Sequence, residues 1–277
     1  MNKQYKTLIS KISVTWAGLS VLLVTSIPTP AQIINGVEEI AEKTTVQINI
    51  AIDRASEYYN EGIARYNSGD KQGAIDDYTQ AITLDPNYTD AYCNRGIVRN
   101  ELGDKQGAID DYTQAITLDP NYTNAYYNRG IVRSELGDKQ GAIDDYTQAI
   151  TLDPNYTNAY YNRGIVHSEL GDKQGAIDDY TQAITLDPNY TNAYYNRGIV
   201  HSELGDKQGA IDDYTQAITL DPNYTNAYYN RGIVHSELGD KQGAITDFQK
   251  AADLYQQQGI DDYYHYSLDR IRQLEQK

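Results

Sequence analysis

Apolar and small residues along most of this chain recur at three- and four-residue spacing, the period of one helix face rather than the two-residue period of a strand. Over residues 157–190 two such stripes follow one another. The first holds Ala159, Tyr160, Gly164, Val166, His167 and Leu170; the second holds Ala176, Ile177, Tyr180, Ala183, Ile184 and Leu186. Two amphipathic helices are predicted, each burying one side. Gly171 suits the left-handed residue that ends the first helix, and Asp172 suits the acceptor that opens the second. Asp187 and Pro188 stop the second helix, because a residue before proline is pushed out of helical space. Asn189 fits the turn that follows, and Thr191 is expected to cap the next helix. Gly164 and Ala176 are small where the paired helices should approach most closely.

The same pattern returns with a period of 34 residues, giving six units at 55–88, 89–122, 123–156, 157–190, 191–224 and 225–258. A hairpin of this size cannot shield its apolar side alone, so successive units must stack. The succession Tyr160, Gly164, Ala176, Tyr180, Ala183 and Pro188, with the NRG and GDKQGAI blocks, resembles the tetratricopeptide repeat family in every unit. That resemblance implies an all-α, right-handed superhelical solenoid of six helical hairpins, with a concave groove lined by the first helices. It also implies a non-enzymatic scaffold that holds peptide or protein segments in the groove. Arg163 and His167 depart from the residues usual in the family, and Gln256 replaces the last unit's proline, so that unit's second helix is expected to run on. Residues 259–277 read as a C-terminal capping helix led by Asp261 and Asp262.

The chain's first part differs. Lys3, Lys6 and Lys11 precede an apolar stretch from Ile12 to Ile27 and then Pro28, Thr29, Pro30 and Ala31, the layout of a secretory signal over residues 1–31 cut after Ala31. The stretch falls short of the ~20 residues that span a bilayer, so membrane attachment is expected only if the segment stays uncut. Export to the periplasm or another extracytoplasmic compartment follows. Residues 32–54 read as a linker or helical lead-in. There Val46, Ile48, Ile50 and Ile52 alternate like a strand, with no partner strand nearby, and the segment weakly resembles the opening of trypsin-like peptidase domains. Two alternative functions are thereby raised: an accessory remnant acting with a separate peptidase subunit, and a self-associating structural protein.

Charge and chemistry narrow the choice further. In 277 residues, 39 Asp plus Glu outnumber 23 Lys plus Arg, for a formal charge of -16, which disfavours nucleic acid. The single cysteine, Cys93, excludes a disulfide framework and is expected as a free thiol at the groove surface. His167, His201 and His235 share one repeat position, and copies on stacked units lie roughly 10 Å apart, too far to share a metal. No serine sits in a nucleophile setting, and paired carboxylates such as Asp178 and Asp179 read as a solvated face. No catalytic residue, metal, cofactor or small-molecule substrate is expected.

The groove carries the remaining candidates. The family resemblance places ligand contacts on Asn162 and its copies Asn94, Asn128, Asn196 and Asn230, a ladder whose carboxamides pair with a ligand backbone. Tyr127, Tyr161, Tyr195 and Tyr229 add broad amphipathic area. Glu135, Glu169 and Glu203, with Glu101 and Glu237, give the groove negative charge, so a neutral or basic protein or peptide ligand is expected. Arg163 and its copies are expected to pair with aspartates inside the solenoid. Units four and five are identical and unit three differs only at Arg133, so a ligand meets the same chemistry several times and gains avidity.

Overall fold

The computed structural model describes residues 29–276. Most of the predicted signal segment therefore lies outside the described residues. The described residues form thirteen helices and no strand. They divide into two compact units with the boundary between Ala51 and Ile52. That boundary falls within the first helix, α1 (Pro30–Ser68). In the first unit Ile33, Ile34, Val37 and Ile40 stand exposed, as do Val46, Ile48 and Ile50. The alternation of Val46, Ile48, Ile50 and Ile52 is thus helical and not a strand: with no partner edge, only an intrahelical ladder satisfies the backbone.

The second unit is the solenoid. It contains the end of α1, then α2 (Lys71–Leu84), α3 (Thr89–Glu101), α4 (Lys105–Leu118), α5 (Thr123–Glu135), α6 (Lys139–Leu152) and α7 (Thr157–Glu169). There follow α8 (Lys173–Leu186), α9 (Thr191–Leu204), α10 (Lys207–Leu220), α11 (Thr225–Glu237), α12 (Lys241–Gln258) and α13 (Asp261–Glu275). From α2 onward each helix packs on the next in the chain, and from α3 onward successive first helices also touch one another. Successive second helices make no comparable contact among the described residues. The first helices therefore line the inside of the curve.

Helix ends are set locally. Gly171 adopts φ 83°, and Asp172 accepts the Gly175 N–H at 3.0 Å. Every hairpin repeats this pair, so each first helix stops and each second helix starts within two residues. After α8, Asp187 Oδ1 accepts the Asn189 N–H at 3.0 Å and closes the turn that Pro188 opens. The cap of the following helix is Tyr190 rather than Thr191, whose hydroxyl reaches only back to the Asn189 carbonyl. Tyr190 makes no side-chain cap bond; its ring is used in packing. Leu170, expected in the first apolar stripe, is instead half exposed at the hairpin turn, as are its copies Leu102, Leu136, Leu204 and Leu238.

The core is a row of small clusters. Ala176, Tyr180 and Val200 form one of them, with Tyr161, Ile165 and Ile177 at its edge. Gly164 is obligatory here: a Cβ at that position would stand 2.8 Å from Tyr180 Cε1. A ring can lie flat across the hairpin only because glycine leaves room for it. At the C-terminal end α12 has 18 residues against 14 in its counterparts, as the missing proline allows. Ile271 on α13 then buries itself against Ala244 and Phe248, covering the last hairpin as a cap.

Candidate functional site

Two polar networks tie consecutive units together. The first runs through the arginines. Arg163 on α7 donates from Nη2 and Nε to both oxygens of Asp179 on α8, at 2.7 and 2.9 Å, and from Nη1 to Thr147 on α6 at 2.9 Å. Arg95, Arg129, Arg197 and Arg231 repeat the arrangement. Each arginine also lies against the tyrosine three residues earlier, Arg163 at 5.7 Å from the Tyr160 ring. The expected arginine–aspartate pairing is present. The expected solvated carboxylate face is not, because Asp179 is only 5% exposed and Asp178 alone faces solvent. A carboxylate taken out of water must be paired, and the planar guanidinium does so bidentately.

His167 belongs to the same network. Its Nδ1 lies 2.8 Å from Asp172 and its Nε2 3.8 Å from Asp179, bridging the helix cap and the buried carboxylate. Arg99 and Arg133 span the same two carboxylates in units two and three. Histidine and arginine thus share this position because both reach two acceptors. No cluster of potential metal ligands occurs among the described residues.

The second network faces the inside of the curve, where the sequence places the ligand contacts. Asn162 Nδ2 donates to the Tyr127 hydroxyl of the preceding unit at 3.0 Å. Asn196 does the same to Tyr161 and Asn230 to Tyr195, and Asn94 reaches Tyr59. The asparagine and tyrosine ladders are therefore one ladder of cross-unit rungs, a pairing that sequence spacing did not disclose. Each tyrosine ring is held on its other side: Tyr161 packs 4.8 Å from Tyr190, whose hydroxyl donates to Asn158. Burial pushes the Tyr127, Tyr161 and Tyr195 hydroxyls above the usual tyrosine value, so they stay neutral while accepting the asparagine N–H.

Cys93 interrupts this ladder. It occupies the tyrosine position of unit two, so no tyrosine faces Asn128. It is not the surface thiol expected: it is 2% exposed among Tyr112, Ala125 and Val132, and burial pushes its pKa up to about 12.

The glutamates expected to charge the groove each meet a lysine of the preceding unit. Lys105 pairs with Glu135 at 3.1 Å, Lys139 with Glu169, and Lys173 with Glu203. Lys71 and Lys207 pair likewise with Glu101 and Glu237. These pairs are surface staples, so part of the predicted negative field is neutralised. Between the rungs lie recesses of matching register. One of about 210 Å³ is lined by Ile63, Tyr78, Asn94 and Ile97. Another of about 200 Å³ is lined by Ile199, Tyr214, Asn230 and Ile233.

Three family models match the chain. One described as a tetratricopeptide repeat matches residues 89–122, 157–190 and 191–224. A TPR repeat model matches 62–103 and 132–171, and another tetratricopeptide repeat model matches 111–144 and 213–246. No curated protein sequence matches. Among solved structures, MamA is similar at 28% identity and TM-score 0.58, covering 61% of this chain and 93% of MamA. YrrB, described as a TPR protein with an unusual peptide-binding site, is 23% identical at TM-score 0.58, covering 64% of this chain and 91% of YrrB. PilF of Pseudomonas aeruginosa is 15% identical at TM-score 0.67, covering 79% of this chain and 99% of PilF. At such identities the last two show the fold alone.

Proposed function

Because the chain belongs to the tetratricopeptide repeat family, we propose that it is an exported, non-catalytic scaffold that holds polypeptide segments along its first helices. The observation that carries this reading is the recurrence of one recess at one register, between Ile63 and Ile97 and again between Ile199 and Ile233. Each recess has aliphatic walls and an asparagine–tyrosine rung at its edge, so it offers apolar burial beside polar groups. That combination suits side chains of an extended or helical segment whose backbone still needs partners. The rungs are already bonded across units, so they present a rigid surface and little ordering entropy is spent on binding. Repetition supplies avidity. The staples neutralise part of the groove's negative charge and the chain keeps a formal charge of -16, which suits neutral and basic segments.

Export rests on the layout of residues 1–31, and N-terminal sequencing from the native host tests it: a first residue of Gln32 is expected. The binding reading is tested by affinity capture from the extracytoplasmic fraction with the wild-type chain and with Ile165→Lys/Ile199→Lys. Ile199 lines a recess and Ile165 holds the same position one unit earlier; both are half-buried, and melting curves check that the variant folds. A partner held by wild type and released by the folded variant is the expected result; equal retention by both overturns the groove assignment.

A further inference from the structure

The C-terminal end of the groove differs from the rest in a way that makes a distinct pocket. Unit six has Tyr255 where unit four has Asp187, and Gln256 where it has Pro188. With α12 prolonged, the Tyr255 hydroxyl donates to Asn226 at 2.8 Å, the bond that Tyr190 makes to Asn158 in unit four. The ladder also ends here. Tyr229 is the last ladder tyrosine, and the position where a seventh unit would supply asparagine is Tyr264. Tyr229 instead sits among rings at steep angles: Tyr255 at 6.4 Å and 70°, Tyr263 at 6.5 Å and 87°. Tyr255 and Tyr263 stack at 5.2 Å.

These rings, with Tyr195 and Ile260, surround a recess of about 380 Å³. Its chemistry differs from that of the recesses along the groove. Those present one or two tyrosines between two isoleucines; this one has four tyrosines, with Tyr229 steeply inclined to Tyr255 and Tyr263, and Tyr263 half exposed. Ile260 and Tyr263 bracket Asp261 and Asp262, both exposed in the first turn of α13. No arginine or lysine lines the recess. Ring faces carry negative quadrupole density, so converging tyrosines beside carboxylates, in a chain of formal charge -16, favour a cation over a neutral group.

We propose that this recess is a receptacle for a cationic side chain, arginine or lysine, and that it anchors one end of the bound segment. The second half of that statement rests on the scaffold reading; the pocket does not. The probe is N-acetyl-arginine-methylamide, titrated into the full chain carrying labelled isoleucine methyls and tyrosine rings, with the uncharged citrulline analogue as isostere. Saturable shifts at Ile260 and Tyr263 are expected for arginine, with binding weaker by about five-fold or more for citrulline. Tyr263→Leu and Asp261→Asn/Asp262→Asn should each weaken arginine binding, and melting curves establish that they fold. Equal binding of citrulline, shifts as large at Ile199 and Ile233, or no saturation overturns the pocket. None of those results touches the groove, which the Ile165→Lys/Ile199→Lys comparison decides separately.

Discussion

Unit one breaks the arginine network, and repairing it should stabilise the protein. Glu61 occupies the position of Arg95, Arg129, Arg163, Arg197 and Arg231. Its aspartate, Asp77, is 5% exposed, and Oδ2 is buried with no hydrogen bond. Arg65 alone approaches it, at 3.1 Å, from a half-exposed position. Burial, with the Glu61 and Asp76 charges, raises the Asp77 pKa against the pull of Arg65. Glu61→Arg removes a like charge and supplies the bidentate partner seen in every later unit. A hydrogen bond to a charged group contributes ~1.5–3 kcal/mol. Position 61 is exposed and Arg65 already offsets part of the charge, so solvent screening reduces the expected gain to about 1 kcal/mol. For a solenoid of this length that is about 2–4 °C in melting temperature.

The pH dependence gives the sharper test. A raised folded-state pKa contributes stability that is present below the unfolded value, 3.8, and is lost as pH rises through the folded one. In the variant, the introduced guanidinium and the loss of the Glu61 charge draw the Asp77 pKa back down, so less stability is lost as pH rises. The stability difference between variant and wild type should therefore grow from about pH 3 to about pH 7. Urea melts across that range, with amide exchange on α2 to localise the effect, provide the measurement. A gain independent of pH, or one surviving in Glu61→Arg/Asp77→Asn, refutes the reasoning.

Further perturbations probe other parts of the network. Arg163→Met leaves Asp179 charged and buried, and thermal or urea melts should show a loss of about 3–5 kcal/mol, largely recovered by Arg163→Met/Asp179→Asn. Gly164→Ala places a Cβ 2.8 Å from Tyr180 Cε1, so overpacking of about 1–3 kcal/mol is expected, relieved by Tyr180→Leu. Cys93 should be inert to a thiol reagent in the folded chain at about pH 8 and react fully in urea, given its burial and a pKa pushed up to about 12. Cys93→Tyr should restore the rung to Asn128 and raise stability by roughly 0.5–1.5 kcal/mol, the net worth of one hydrogen bond; a loss would show that the site has closed over the smaller residue.

The hairpins were readable because their causes are local. Periodicity chose helices, Gly171 and Asp172 fixed where they end and begin, and the loss of proline at Gln256 lengthened α12. Side-chain partners across units were not readable, because identical repeats give every residue the same sequence neighbours. Asn162 and Tyr127 stand 35 residues apart, and only stacking brings them to 3.0 Å. Asp178 and Asp179 look alike in sequence; helix rotation sends one to solvent and the other beneath Arg163. Cys93 resembled a surface residue because its neighbours in register are half-exposed tyrosines, and only packing shows a smaller group sinking below them. The aromatic recess escaped notice because it needs Tyr229, Tyr255 and Tyr263 from three helices at once. Sequence by itself thus determined the all-α repeat, its unit length and its punctuation, since each depends on residues within a few positions of one another. Tertiary structure decided which polar groups are bonded between units and which remain for a ligand, since those depend on how one hairpin lies upon the next.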